Sequence, residues 1–346
     1  MILKKLEIEG YGPFSSLATI EIDEQVTILT GKNDVGKTSI LNLIRSMCQN
    51  QRAAQTDLNL DHLGDANVSW DQYAGTKCTA TFLITKSDEA YYKSDTKTLD
   101  DEVDVVFFPA RQEANVVAYR REGIPLETPE RWRFRFPTPF WLPLTNEIGS
   151  IISPQTTNPA EQKLLQIAFG ENGIANNAAL PPAMFGRVIK RASDRLNAAL
   201  EQIMPSVLGM KIVVEVDSKS ATDIIVGFQD EYGGDAPLAM RGAGVRKLLT
   251  LIMNLSEIES HSEHGLILYD EPENSLHADA QHVLRAMLEK LAAKENLQVI
   301  YTTHSPSMIN SYHHTGLRLL KRARVNDRPH QLSNSLRLIT AANFAY

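Results

Sequence analysis

Hydrophobic and polar positions alternate along the start of the chain, which is the pattern of half-buried strands. Apolar side chains recur at roughly every second position within residues 2–9 and 18–22. Gly10 and Pro13 lie between these two segments, where they favour a turn. The pattern therefore predicts a β-hairpin. A mostly apolar run rich in β-branched residues follows at residues 26–29 and predicts a buried strand.

Strand and helix patterns alternate through the rest of the chain. Strand patterns occupy seven further segments, residues 76–85, 103–108, 131–136, 211–217, 222–229, 265–269 and 298–304. Helical spacing marks residues 182–204 and 277–294, and Asn158 followed by Pro159 forms a good helix start. This mixture predicts an α/β fold with a mixed central sheet, an antiparallel β-lobe and a short helical insertion.

The same patterns predict three parts. Residues 1–153 form the predicted N-terminal lobe, and residues 206–346 form the predicted C-terminal lobe. The helical insertion, residues 154–205, lies between them and is a candidate dimerisation element.

Composition excludes several classes of protein. The chain has 346 residues and a net charge of −7, so any contact with nucleic acid requires a local basic patch. Cys48 and Cys78 form no disulfide framework, which suits a reducing compartment. No apolar run approaches the roughly 18 residues of a membrane span, and the first residues lack the layout of a signal peptide. We therefore expect a cytoplasmic protein with no membrane partner.

The strongest motif is a glycine-rich loop that follows the strand at residues 26–29. It reads G-x-x-x-x-G-K-T and is followed by a serine: Gly31, Lys32, Asn33, Asp34, Val35, Gly36, Lys37, Thr38 and Ser39. In such a loop the backbone N–H groups point at phosphate oxygens, and the following helix adds its positive dipole end. Lys37 is expected to reach the β- and γ-phosphates, and the Thr38 hydroxyl to ligate Mg²⁺. The alternative is a glycine-containing turn that matches by chance. The motif predicts ATP and Mg²⁺ as cofactors.

A pair of carboxylates forms the second motif. Asp270 and Glu271 follow the apolar strand at residues 265–269. Two adjacent carboxylates at a buried strand end are costly without a cation. Asp270 is expected to hold Mg²⁺ through water, and Glu271 to act as the general base on the attacking water. Glu273 is the next candidate for the base.

The order of these motifs resembles a known family. The stretch LKKLEIEGYGPF…IEIDEQVTILTGKNDVGKTSILNLI is similar to the N-terminal lobe of the RecF/SMC branch of ABC-type ATPases, and DEPENSLH resembles the OLD (overcoming lysogenization defect) family. The resemblance implies an ABC-type ATPase head. It also implies that His304, at the end of the next strand, contacts the γ-phosphate. Gln112 resembles the glutamine that reaches Mg²⁺ and the attacking water; the alternative is a surface glutamine.

A variant of the ABC-type signature precedes the carboxylate pair. Its residues are Arg241, Gly242, Ala243 and Gly244, and a helix follows them. The resemblance implies that the free N–H groups of this helix bind the γ-phosphate of the opposite subunit, in a homodimer or a higher even oligomer. The usual Ser-Gly-Gly-Gln is absent and glycine replaces its serine. The alternative is a simple helix-capping turn.

The resemblance implies a dimeric ATPase that acts in bacterial defence against phage or mobile DNA. Its effector would be a nuclease or toxin on another chain or in a missing domain. OLD proteins continue into a Toprim nuclease domain, whereas this chain stops at Tyr346, so it is either a stand-alone ATPase or a fragment. Two alternatives stay open: a RecF-type repair ATPase that clamps double-stranded DNA, and a low-turnover ATP-bound scaffold. The sequence leaves the effector, the trigger and the turnover rate undetermined.

Overall fold

The computed structural model describes residues 1–14, 17–49, 76–85, 88, 101–109, 113–121, 123–125, 136–141, 148–170, 182–203, 211–217, 223–229, 235–240, 243–258, 265–293, 297–309, 315–322 and 336–340. The chain divides into two compact units. Unit 1 comprises Met1–Trp141, Ser262–Pro272 and Leu288–Tyr346, and unit 2 comprises Leu142–His261 and Glu273–Met287. The three parts predicted from the sequence, residues 1–153, 154–205 and 206–346, divide the chain differently from these two units. That division stays a prediction.

The described residues form sixteen strands and five α-helices. The strands are β1 Ile2–Glu9, β2 Ala18–Glu21, β3 Val26–Gly31, β4 Lys77–Leu83, β5 Asp101–Phe108, β6 Glu113–Arg121, β7 Ile124–Pro125, β8 Thr138–Trp141, β9 Ile151–Ile152, β10 Lys211–Val216, β11 Ile224–Gln229, β12 Asp235–Pro237, β13 Gly265–Tyr269, β14 Leu297–Thr303, β15 Leu317–Arg322 and β16 Leu336–Thr340. The helices are α1 Lys37–Cys48, α2 Pro159–Phe169, α3 Pro182–Ile203, α4 Ala243–Ile258 and α5 Ala278–Ala292.

An antiparallel sheet forms the β-lobe of unit 1. Its strand order is β2-β1-β4-β5-β6-β7. The hairpin predicted at the start of the chain is confirmed, since β1 and β2 pair antiparallel with Leu6 opposite Ile20. Both of these side chains are fully buried, as expected for the apolar face of alternating strands.

The central sheet of unit 1 is mixed, as predicted. Its order is β16-β15-β3-β14-β13-β8, with parallel neighbours from β15 to β8 and β16 antiparallel to β15. Every residue of β13 and β14 is buried, because a strand inside a parallel sheet has both of its faces covered. Helix α1 buries Ile40, Leu41, Leu43, Ile44 and Met47 in the same unit.

A buried glutamine joins β1 to β14. Gln298 is 4% exposed, and its Nε2 donates to Leu3 O at 2.8 Å and to Asp23 O at 2.7 Å. Its Oε1 accepts from Leu3 N at 3.0 Å. The amide therefore satisfies backbone groups that would otherwise be buried without partners, and it connects the β-lobe to the central sheet.

Unit 2 contains a small antiparallel sheet and helices α2, α3 and α4. Strands β10, β11 and β12 lie side by side, and β9 pairs with β11. Asn158 caps the N-terminus of helix α2, where its side chain accepts from Ala160 N, as the sequence predicted. Helix α3 is anchored on β10 because the Asn197 side chain bonds both the N–H and the C=O of Ile212. Among the described residues, no helix is long and apolar enough to cross a membrane.

Candidate nucleotide-binding site

The glycine-rich loop lies between β3 and α1, in the strand-loop-helix order that the sequence predicts. Gly36 precedes the helix with φ of +98°, a backbone conformation that favours glycine. A Cβ at this position would lie 2.6 Å from Pro13 Cγ and 2.9 Å from Phe14 Cε2. The loop is therefore packed closely against the turn between β1 and β2, which limits how it can move.

Lys37 is the first residue of α1 and is only 5% exposed. Its Nζ donates to Gly31 O at 3.1 Å and to Lys32 O at 2.9 Å, and lies 2.8 Å from His304 Nε2. These contacts hold the ammonium over the glycine-rich loop.

Two of the three predicted Mg²⁺ ligands, Thr38 and Asp270, meet beside the loop. Thr38 Oγ1 donates to Asp270 Oδ2 at 2.9 Å, although the two residues are 232 positions apart in the chain. Thr302 Oγ1 donates to Asp270 Oδ1 at 2.6 Å and accepts from Glu271 N at 2.8 Å. One threonine on β14 thus positions both members of the carboxylate pair. Sequence reasoning missed Thr302, whose only signal is its place two residues before His304.

Glu271 and His304 form the open side of the site. His304 Nε2 lies 3.2 Å from Glu271 Oε1, and the two side chains are 36% and 33% exposed. Glu271 has φ of +45°, which is uncommon for a residue other than glycine and is a form of local strain found at functional sites. The carboxylate can reach water while its backbone is held by Thr302.

A cavity of about 820 Å³ lies beside Lys37, Glu271 and His304, and its volume is typical of small-molecule sites. It lies within unit 1 and is lined by Pro13, Asn33, Asp34, Gly36, Lys37, Thr38, Ser39, Glu271 and His304. The groups present fit the predicted cofactors. An ammonium and a helix N-terminus suit phosphate oxygens, and a hydroxyl beside a carboxylate suits Mg²⁺, which keeps several ligands from water and phosphate. The described residues contain no group of three or more His, Cys, Asp or Glu that could hold a metal ion.

The remaining predicted residues are not all part of this cluster. Gly244 lies in the first turn of α4, in unit 2, where a Cβ would approach Ser275 O to 2.5 Å. Ala243 is the first residue of that helix. Gln112, Arg241 and Gly242 lie outside the described residues, so the roles expected for them stay predictions.

A comparison with family models identifies the class of protein. The model described as an AAA ATPase domain matches residues 1–169 and 184–309. The chain belongs to this family. Membership of this family makes the chain an ATPase. This confirms the activity that the glycine-rich loop and the Asp-Glu pair predict.

Individual relatives agree with the resemblance seen in the sequence. The OLD nuclease of Thermus scotoductus is 24% identical over 357 residues, which cover 93% of this chain and 62% of that protein. The chain thus spans less than two thirds of its relative. Two solved structures share the fold. The SMC head domain from Thermotoga maritima has a TM-score of 0.50 at 13% identity, and the alignment covers 98% and 99% of the two chains. An Smc head domain from Pyrococcus furiosus, bound to the C-terminal domain of ScpA, has a TM-score of 0.52 at 10% identity over 98% and 96%.

Proposed function

We propose that ATP is bound and hydrolysed in the cavity between the glycine-rich loop and the Asp-Glu pair. The observation that supports this most strongly is the meeting of Thr38 with Asp270, beside Glu271 and His304. Residues from three separate strand ends converge there, and each has the chemistry that phosphoryl transfer to water requires.

Each residue has a distinct task in this proposal. Lys37 and the loop N–H groups bind the β- and γ-phosphates. Thr38 and Asp270 would hold Mg²⁺, with Gln112 as a further predicted ligand, and the ion would supply positive charge to the phosphate oxygens. The water oxygen bonds to the γ-phosphorus while the bond from that phosphorus to the bridging oxygen of ADP breaks, and Glu271 Oε1 accepts the proton that the water loses. His304 orients this carboxylate, since its Nε2 lies 3.2 Å from Glu271 Oε1.

Glu271→Gln tests the proposed base. The amide keeps the shape of the side chain but loses its basicity, so hydrolysis should slow by about 10²–10⁴-fold while ATP affinity is retained. Glu215→Gln, at an exposed position of β10, is the matched control and should hydrolyse at the wild-type rate. Phosphate release and nucleotide content are measured together. Wild-type turnover in Glu271→Gln would make Glu273 the next candidate, and a wild type without turnover would favour the ATP-bound scaffold.

We propose that ATP also brings two copies of the chain together. Helix α4 begins directly after Gly242, and its N-terminus carries the N–H groups that can bind a phosphate of a second subunit. Glu271→Gln should therefore form a two-fold dimer with ATP, in which the same surfaces of both chains are used. Light scattering with and without ATP measures this. A nucleotide-loaded monomer would contradict it.

We further propose a role in defence against phage or mobile DNA, together with a nuclease or toxin effector. The similarity to a protein named OLD nuclease supports this role. Phage should form plaques less efficiently on cells that carry the wild-type chain with its neighbouring genes than on cells that carry the Lys37→Ala variant with the same genes. Equal plating would count against the role in defence.

A basic face on α3 favours direct contact with double-stranded DNA. Arg187, Lys190, Arg191 and Arg195 are exposed at helical spacing, with Asp194 among them. Within the described part of the chain, no carboxylate lies within ion-pair distance of the first three. Each phosphate contact adds about 0.9 to the magnitude of the slope of the logarithm of the binding constant against the logarithm of salt concentration. Replacing the first three by glutamate should lower that slope by about 3, and Lys290→Glu should leave it unchanged. An unchanged slope in the triple variant would contradict DNA contact by this face.

A further inference from the structure

The loop that follows the Asp-Glu pair contains a strained turn. Leu276 N donates to Glu273 O at 2.9 Å, which closes a four-residue turn over residues 273–276. Ser275 is the third residue of this turn and has φ of +68°. Turns with a positive φ at the third position normally require glycine. A serine held in this conformation needs neighbours that offset the backbone strain.

A buried lysine on α4 holds the strained peptide. Lys247 is 6% exposed, and its Nζ donates to Asn274 O at 2.6 Å. Lysine is rarely buried to this extent, since its ammonium then depends on hydrogen-bond acceptors from the protein. Asn274 O belongs to the peptide that joins Asn274 to Ser275, and the orientation of this peptide determines the sign of φ at Ser275. The lysine therefore stabilises the strained form of the turn.

A glycine of the predicted signature lets the turn approach the helix. Gly244 lies three residues before Lys247, so the two face the same side of α4. A Cβ at Gly244 would lie 2.5 Å from Ser275 O and 3.5 Å from Leu276 Cδ2. The first of these distances is far inside van der Waals contact. The close approach of the turn thus depends on the absence of a side chain at Gly244.

We propose that Lys247 is a positioning residue for ATP hydrolysis. Its ammonium holds the Asn274–Ser275 peptide against Gly244, so that the first turn of α4 and the turn at residues 273–276 move together. Asn274 is three residues beyond Glu271 in the chain, so the orientation of the turn limits the positions open to the general base. This inference rests on the proposed roles of Glu271 and of the signature.

Lys247→Met tests the inference, because methionine keeps an unbranched side chain and removes the donor. Loss of a hydrogen bond from a charged group changes an equilibrium or rate constant by a factor of about 10–100. We expect kcat to fall by about that factor, while the KM for ATP stays within about threefold of wild type. Lys247→Arg retains a donor and should recover part of kcat. Lys290→Met makes the same change at an exposed position of α5 and should behave as wild type.

A second substitution separates positioning from general loss of structure. Glycine adopts a positive φ without strain. Adding Ser275→Gly to the Lys247→Met variant should therefore raise its kcat at least about tenfold. Amide exchange at Leu276, which reports the closed turn, should accelerate in Lys247→Met and slow again in the double variant. If Lys247→Met does not fold, Gly244→Ala tests the same contact and should lower kcat with little change in KM.

Three results would overturn the inference. They are wild-type kcat in Lys247→Met, an equal loss in Lys290→Met, and no recovery with Ser275→Gly. Glu271→Gln is measured in parallel. If kcat is low in Glu271→Gln but equals the wild-type value in Lys247→Met, only the positioning role is rejected. If kcat in Glu271→Gln equals the wild-type value, the proposed base itself is rejected.

Discussion

Gly36→Ala should disable the glycine-rich loop through one added carbon atom. The φ of +98° at Gly36 costs alanine about 1–2 kcal/mol. The new Cβ would also lie 2.6 Å from Pro13 Cγ and 2.9 Å from Phe14 Cε2. Phe14 is 1% exposed and has no room to withdraw, so overpacking adds about 1–3 kcal/mol. The free energy of unfolding should therefore fall by about 2–5 kcal/mol.

Gly123→Ala is the matched control, because it isolates the backbone term. Gly123 also has a positive φ, +79°, but a Cβ there would meet no atom of the described residues within 4 Å. This variant should lose only about 1–2 kcal/mol and bind ATP normally. Urea unfolding measures both losses, and the rise in melting temperature with ATP and Mg²⁺ reports binding, which Gly36→Ala should lack. Equal losses in the two variants would refute the steric reasoning.

Three further predictions concern single side chains. Lys37→Ala should abolish ATP binding in calorimetry, since the loop loses its ammonium; wild-type affinity would contradict this. Gln298→Leu leaves the backbone groups of Leu3 without their partner and should cost about 2–4 kcal/mol in urea unfolding, whereas a loss below about 0.5 kcal/mol would argue against it. Burial raises the pKa of the Cys78 thiol, so in a Cys48→Ala variant iodoacetamide should label Cys78 only after denaturation; rapid labelling of the native protein would show otherwise.

The sequence by itself determined the features that depend on near neighbours. The loop at residues 31–38 was readable because its glycines, lysine and threonine act at a fixed spacing. The first hairpin was readable from its alternation, and the start of α2 from Asn158 and Pro159. Such features follow from backbone preferences and local hydrogen bonds, which residues a few positions apart decide among themselves.

Only the tertiary structure decided which distant residues meet. Placing β3 beside β14, and β14 beside β13, brings Thr38 to Asp270 and Lys37 to His304. No local pattern specifies that order, because strand pairing depends on how whole elements share a core. The same holds for Thr302 and Lys247: each has ordinary sequence neighbours, and each acts through a backbone or carboxylate contact about 30 positions away. Their roles are consequences of packing, which a linear pattern does not record.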